Sequence, residues 1–236
     1  KDISIDTGIE LILYVMKRNI DMSQEAQVTR QGLLDLLKSA NGDQFVVPVY
    51  QRNYTWRANY EVKQFLTDLD AVISGEYPRH FLGVIIFLSK TIKLGVNEMS
   101  IIDGQQRLVT LTLILRSLGY EGNMPLLLQR FKSLEACENI ANAKYVIQEI
   151  KGWDSDENNK MLENILKHLT FSVLLLKSKN LDLAYTFFSN QNSRGVRLSD
   201  YDILKAHHLR FLITNDSQAE HLARRWNTIS QDTDSD

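Results

Sequence analysis

The stretch Ile101-Ile102-Asp103-Gly104-Gln105-Gln106-Arg107-Leu108 passes from two β-branched residues through an Asp-Gly pair into a polar run, and Leu108, Leu111, Leu115 and Leu118 continue it at helical spacing. β-branched residues suit a pleated, buried strand, and a leucine stripe suits one buried helix face. The spacing therefore predicts strand, tight turn, then helix over Gln105–Leu118. A helix entered straight from a turn has backbone N–H groups at its start without intrahelical acceptors, and its macrodipole favours an anion there. Gly104 lets a phosphate approach the backbone, and Arg107 can add a bidentate contact. The carboxamides of Gln105 and Gln106 can hold a phosphate oxygen or an attacking water. Asp103 is an acceptor when ionised, so it opposes a phosphate unless it holds Mg²⁺, a base hydroxyl or Arg52. An Asp-Gly turn that simply starts a helix accounts for the same residues without a ligand.

Upstream of that turn, Phe81–Leu88 and Met99–Ile102 are apolar runs that predict two buried strands joined by a hairpin. Before them, Asn59–Ser74 places Val62, Phe65, Leu66, Leu69, Val72 and Ile73 on one face, an amphipathic helix. Thr29–Ala40 reads as a helix stopped by Asn41-Gly42-Asp43, and Gln44–Val47 as a short strand ended by Pro48. Residues 8–20 are apolar enough for an N-terminal helix that packs on the body. Downstream, Met124–His168 reads as mostly helical with a polar interruption at Gly152–Asn158. Thr170–Leu176 follows as a further strand, and helices are expected over Leu181–Gln191, Asp200–Leu212 and Ser217–Ile229. The whole is an α+β pattern with a helical second half.

Two further clusters exceed what core packing requires. Val47-Pro48-Val49-Tyr50-Gln51-Arg52-Asn53-Tyr54-Thr55-Trp56-Arg57 offers aromatic faces beside guanidinium groups, suited to a base and its phosphates. Aromatics anchoring a long loop, with arginines paired to carboxylates, are the alternative. Asn190-Gln191-Asn192-Ser193-Arg194-Gly195-Val196-Arg197-Leu198-Ser199, with Asp202 and Lys205 beyond, is a second Gly turn entering a helix. Its arginines can close over a ligand or touch a DNA backbone, or it is an ordinary interhelical connection.

Composition limits the classes. The chain has 236 residues, 27 Lys+Arg against 29 Asp+Glu and a net charge of −2, so a uniformly basic nucleic-acid coat is excluded while a local basic groove is not. One cysteine, Cys137, allows no internal disulfide, and no Cys/His zinc spacing is present. The five histidines form no two-His metal pattern; His80, directly before a strand, is a minor site candidate. No apolar run approaches the about eighteen residues of a membrane span, so the expectation is a soluble protein without a membrane partner, and the lone cysteine makes a reducing, cytoplasmic setting the default. No Gly-Lys-Ser/Thr ending marks a P-loop. The start at Lys1 and the end in Asp-Thr-Asp-Ser-Asp suggest a fragment truncated before a further domain.

In this order the three clusters resemble the N-terminal domain of GmrSD-type restriction systems, the DGQQR-motif family similar to ParB and sulfiredoxin folds. The likeness rests on Val47–Trp56, on Asp103-Gly104-Gln105-Gln106-Arg107-Leu108-Val109-Thr110-Leu111, and on Phe187–Ser199 with Asp202 and Leu204. It implies a small ParB/sulfiredoxin-like mixed sheet with flanking helices and a helical C-terminal part. The implied division is a helical extension at 1–28, the core with the DGQQR motif at 29–120, and a mainly helical part at 121–236 completing the same unit.

The implied function is an anti-phage (antiviral defence) domain that binds and hydrolyses nucleoside triphosphates, with Mg²⁺, and couples this to restriction of modified foreign DNA. Cutting would reside in a C-terminal HNH-type nuclease domain or partner subunit. Asp103, Gln105, Gln106 and Arg107 are then the catalytic candidates. Tyr50, Gln51, Arg52, Tyr54, Trp56, Gly104, Thr110, Asn192 and Arg194 are candidates for nucleotide or phosphate binding, and Arg57, Arg197 and Lys205 for DNA. No metal ligand set is assigned. Alternative readings are a non-enzymatic sensor of modified DNA and a ParB-like nicking nuclease.

Overall fold

Ala26–Gly32 forms an edge strand, β1, and Leu33–Ser39 continues it as a short helix, α1. The computed structural model describes residues 26–40, 43–49, 51–93, 96–127, 129–131, 133–149, 155–177 and 222. The expected helices at 8–20, 181–191 and 200–212 lie outside the described residues, as does that at 217–229 apart from Leu222, which is helical.

The sequence pattern predicts helix from Thr29, but Thr29–Gly32 belong to a strand. Thr29 pairs with Val173 and Gly32 with Thr170, so partner backbone decides where the local pattern is weak. After β2 (Gln44–Val46) a strap over residues 51–57 leads to a π-helical turn, Ala58–Val62, and then α2, Lys63–Ile73. The hairpin β3 (His80–Lys93) and β4 (Val96–Asp103) is longer than its apolar runs, because its far end carries polar residues such as Lys90 and Thr91 that still pair across strands. Gly104 turns the chain into α3, Gln105–Ser117. Then come α4 (Leu134–Gln148), α5 (Ser155–His168) and β5 (Leu169–Lys177). The described residues between Met124 and Ser133 are not helical, and Ser133 caps α4, its Oγ accepting from the Ala136 N–H at 3.4 Å.

The five strands are ordered β1-β5-β3-β4-β2. β1 is antiparallel to β5, β5 parallel to β3, β3 antiparallel to β4, and β4 parallel to β2, which makes the sheet mixed and the fold α+β. Leu33, Leu69, Leu111, Ile147 and Ile165, one from each helix, share a core with Ile85, Phe87, Ile101, Phe171 and Val173. The alternate residues Ile86, Leu88, Ile102, Leu174 and Leu176 point to the opposite face and are also buried. Both faces of the central strands are thus covered, which explains why these strands read as continuous apolar runs. Among the described residues no helix is long and apolar enough to cross a membrane.

Candidate functional site

The tip of α3 is built by two glycines. Gly104 has φ +92°, and a Cβ there would lie 3.2 Å from Ile85 Cγ1, so the turn needs both the left-handed backbone and the missing side chain. Gly83, at φ +97°, lies where the β3–β5 register slips between Phe81 and Val84, the mark of a bulge. The bulge turns two carbonyls toward α3. Arg107 Nη1 donates to the Leu82 carbonyl, and Nη2 donates to the Val84 carbonyl at 2.7 Å and to Asp103 Oδ2 at 3.2 Å. The guanidinium expected to neutralise phosphates is therefore engaged by the protein and rivets α3 to the middle of the sheet.

The glutamines take different roles. Gln106 is buried; its Nε2 donates to the Asn53 carbonyl at 3.0 Å, and its Oε1 accepts from the Thr55 N–H at 3.0 Å and the Trp56 N–H at 3.3 Å. One carboxamide thus pins three residues of the strap. Gln105 Nε2 donates to the Arg52 carbonyl at 3.0 Å. Gln105 Oε1 is buried and has no hydrogen-bond partner among the described residues. A buried carbonyl oxygen without a donor carries a desolvation cost of about 1–3 kcal/mol unless water or a ligand supplies one.

Gln51 is also buried, and its Nε2 donates to the Ile102 carbonyl at 2.6 Å, tying the start of the strap to β4. Tyr54 and Thr110, expected at the ligand, are instead fully buried and joined through their hydroxyls at 2.8 Å. Thr110 Oγ1 also donates to the Gln106 carbonyl at 2.9 Å. Burial is the main cause that pushes the Tyr54 phenol up to about 12, offset in part by the Thr110 bond. Trp56, half-buried, packs its ring on Phe65, with centroids 5.2 Å apart. The strap aromatics therefore serve as anchors, the alternative that their composition had left open.

Arg57 is exposed. Its guanidinium binds Glu61 through Nε at 3.1 Å and Nη2 at 2.8 Å, while its backbone N–H donates to the same carboxylate at 2.9 Å. The bond from Arg57 is the leading reason that the Glu61 carboxyl is held below its usual range. Tyr50, Asn192, Arg194, Arg197 and Lys205 lie outside the described residues. His80 opens β3 opposite Leu169, and its carbonyl accepts from Thr170 Oγ1 at 3.2 Å. Among the described residues no group of three His, Cys, Asp or Glu is placed to hold a metal ion.

The structure brings together the backbone of Arg52, Gln105, the Gly104 turn and Asp103, whose side chain is about one-third exposed (32 %). Sequence reasoning missed Gly83 and the Leu82 and Val84 carbonyls, although a lone glycine inside an apolar strand is a known sign of a bulge. It also missed Asn139 on α4, whose Nδ2 donates to the Tyr54 carbonyl at 3.3 Å.

No curated protein matches this chain. The sequence model of the family described as "GmrSD restriction endonuclease, N-terminal domain" matches residues 33–209, from the first helix past the DGQQR turn and through the third motif. With three-quarters of its length inside that match, the chain belongs to the GmrSD restriction endonuclease family, as its N-terminal domain.

Proposed function

We propose that this domain binds and hydrolyses nucleoside triphosphates at the tip of α3, in the cytoplasm, and that hydrolysis licenses cutting of modified foreign DNA by an HNH-type nuclease domain or subunit. The reading is carried by one observation: Gln105 Oε1, a buried acceptor without a partner among the described residues, stands at a glycine-started helix N-terminus. Phosphoryl transfer to water needs positioning and charge stabilisation more than covalent chemistry. The first-turn amides of α3 supply donors to phosphate oxygens, and Gln105 Oε1 accepts a hydrogen bond from the attacking water and holds it in place. Gln106, Tyr54 and Thr110 act indirectly by fixing the strap, and Arg107 by fixing the helix tip. Arg52, whose backbone carbonyl Gln105 Nε2 holds, is the strap arginine that this reading assigns to the phosphates.

A magnesium ion that arrives on a triphosphate needs only one or two protein carboxylates, because phosphate and water oxygens complete its shell. Asp103 fits that requirement, and the ion when bound neutralises charge building on the phosphates. Phosphate release from each of the four triphosphates with Mg²⁺ tests the reading. Wild type should turn over at least one, and Asp103→Asn, which keeps the side-chain shape beside Arg107, should lower kcat by roughly a hundredfold. Background release by wild type would remove the activity. If that protein still distinguished modified from unmodified DNA, a sensor role would stand in its place.

A further inference from the structure

Away from the α3 tip, the π-helical turn and α4 enclose an open groove of about 550 Å³, within the 300–1,000 Å³ typical of small-molecule sites. Tyr60 and Tyr145 line it, and both are unusually exposed for their size, at 62 % and 70 %. Asn59, Asn139 and Asn142 line it as well. A π-helical turn is a rare element that concentrates at functional sites, and here it delivers Asn59 and Tyr60 to the groove.

The charges of the groove select the kind of ligand. Its arginine, Arg57, is held by Glu61 through two nitrogens and lies over the Tyr60 ring, 5.1 Å from its centroid, so a ligand must use the other face of that ring, and Glu149 adds a negative charge. Such a lining does not gather the clustered charge of a free triphosphate, whereas a strand can leave its spaced phosphates in solvent while a single base enters. A flat, neutral heterocycle suits it better. Aromatic rings stack on any base, and asparagine carboxamides can both donate to and accept from a base edge. A base inside a duplex has its faces covered, so the base must be unpaired or turned out of the stack.

We propose that the Tyr60–Tyr145 groove binds an unpaired base of a DNA strand. The proposal rests on the family's role in restriction, not on triphosphate hydrolysis. Asn139 links the groove to the rest of the domain. It lines the groove and also donates to the Tyr54 carbonyl, one residue before the two N–H groups that Gln106 holds. An occupant that moves Asn139 therefore pulls on the strap fastened to α3.

The test is fluorescence anisotropy on the full chain without nucleotide, comparing a short thymidine single strand with a strand of equal length made of abasic sites. The thymidine strand should bind and the abasic strand should not. Tyr60→Ala and Tyr145→Ala should each weaken binding about 5- to 100-fold, while Tyr60→Phe and Tyr145→Phe retain it. Salt dependence should be shallow, since stacking rather than ion release supplies the affinity. Equal binding of the two strands, or alanine variants that bind like wild type, would overturn the proposal. No triphosphate enters these measurements, so their failure leaves the hydrolase reading standing. Conversely, wild type that passes them but releases no phosphate loses the hydrolase reading alone.

Discussion

Gly83 leaves the space that Arg107 fills: a Cβ at Gly83 would lie 2.5 Å from Arg107 Nη1. Gly83→Ala should therefore destabilise the domain by about 2–3 kcal/mol, part from the positive φ and part from expelling the guanidinium. In an Arg107→Ala background the same change should cost only the backbone share, about 1 kcal/mol. Urea denaturation of the four proteins of this cycle measures the coupling. Strictly additive costs would show that the two residues do not depend on one another.

Tyr54 predicts an alkaline transition. Its phenol ionises near 10 in the unfolded chain and near 12 in the folded one. The stabilisation is full below pH 10 and is lost as pH rises to 12, because only the unfolded chain releases the proton in that interval. Two pH units correspond to roughly 3 kcal/mol. Tyr54→Phe should lose this part of the alkaline slope while remaining less stable at neutral pH, since Thr110 loses a hydroxyl partner. Denaturant midpoints measured across the alkaline range would refute this if both proteins declined in parallel.

Gln106→Glu tests the strap. A carboxylate can still accept from Thr55 and Trp56 but confronts the Asn53 carbonyl with an oxygen in place of a donor. The expected cost is about 2–4 kcal/mol at neutral pH. Protonation restores a donor, so the variant's carboxyl should have a raised folded-state pKa and the deficit should shrink on acidification. Thermal melts at neutral and mildly acid pH check the sign. Faster amide exchange at Thr55 and Trp56 would locate the damage.

Arg57 and Glu61 carry the opposite expectation. The pair is solvent-facing on the arginine side, so Arg57→Ala should change stability only slightly. The Glu61 carboxyl should then titrate closer to its ordinary range, readable by carboxyl NMR. In wild type its small contribution is present above the ordinary carboxylate value and fades as pH falls through the lowered one.

The residues that announced their structure are those whose local chemistry allows one solution. The glycine turn between Ile102 and Gln105, the leucines of α3 and the apolar runs of β3 and β5 each had one reading, and the structure follows it to within a few residues. β1 is not legible in the sequence because Ala26–Gly32 has neither clear alternation nor a buried side chain to reveal it; pairing with β5 makes it a strand. At the site, sequence identified the right segments but not the direction of their side chains. Gln106 and Arg107 look like ligand contacts because they are polar and adjacent to a turn. Their partners, the backbone at 53–56 and the bulge at 82–84, are more than twenty residues away and follow no sequence spacing.

The fastening of residues 51–57 to a single helical turn bears on any attempt to build chimaeras. Gln105, Gln106 and Thr110 read main-chain atoms of the strap or the hydroxyl of Tyr54, so neither segment holds its shape without the other. A graft that moves the DGQQR turn into a relative must transplant both pieces, together with the glycine at 83. Transferring the motif alone would import the letters and leave their anchorage behind.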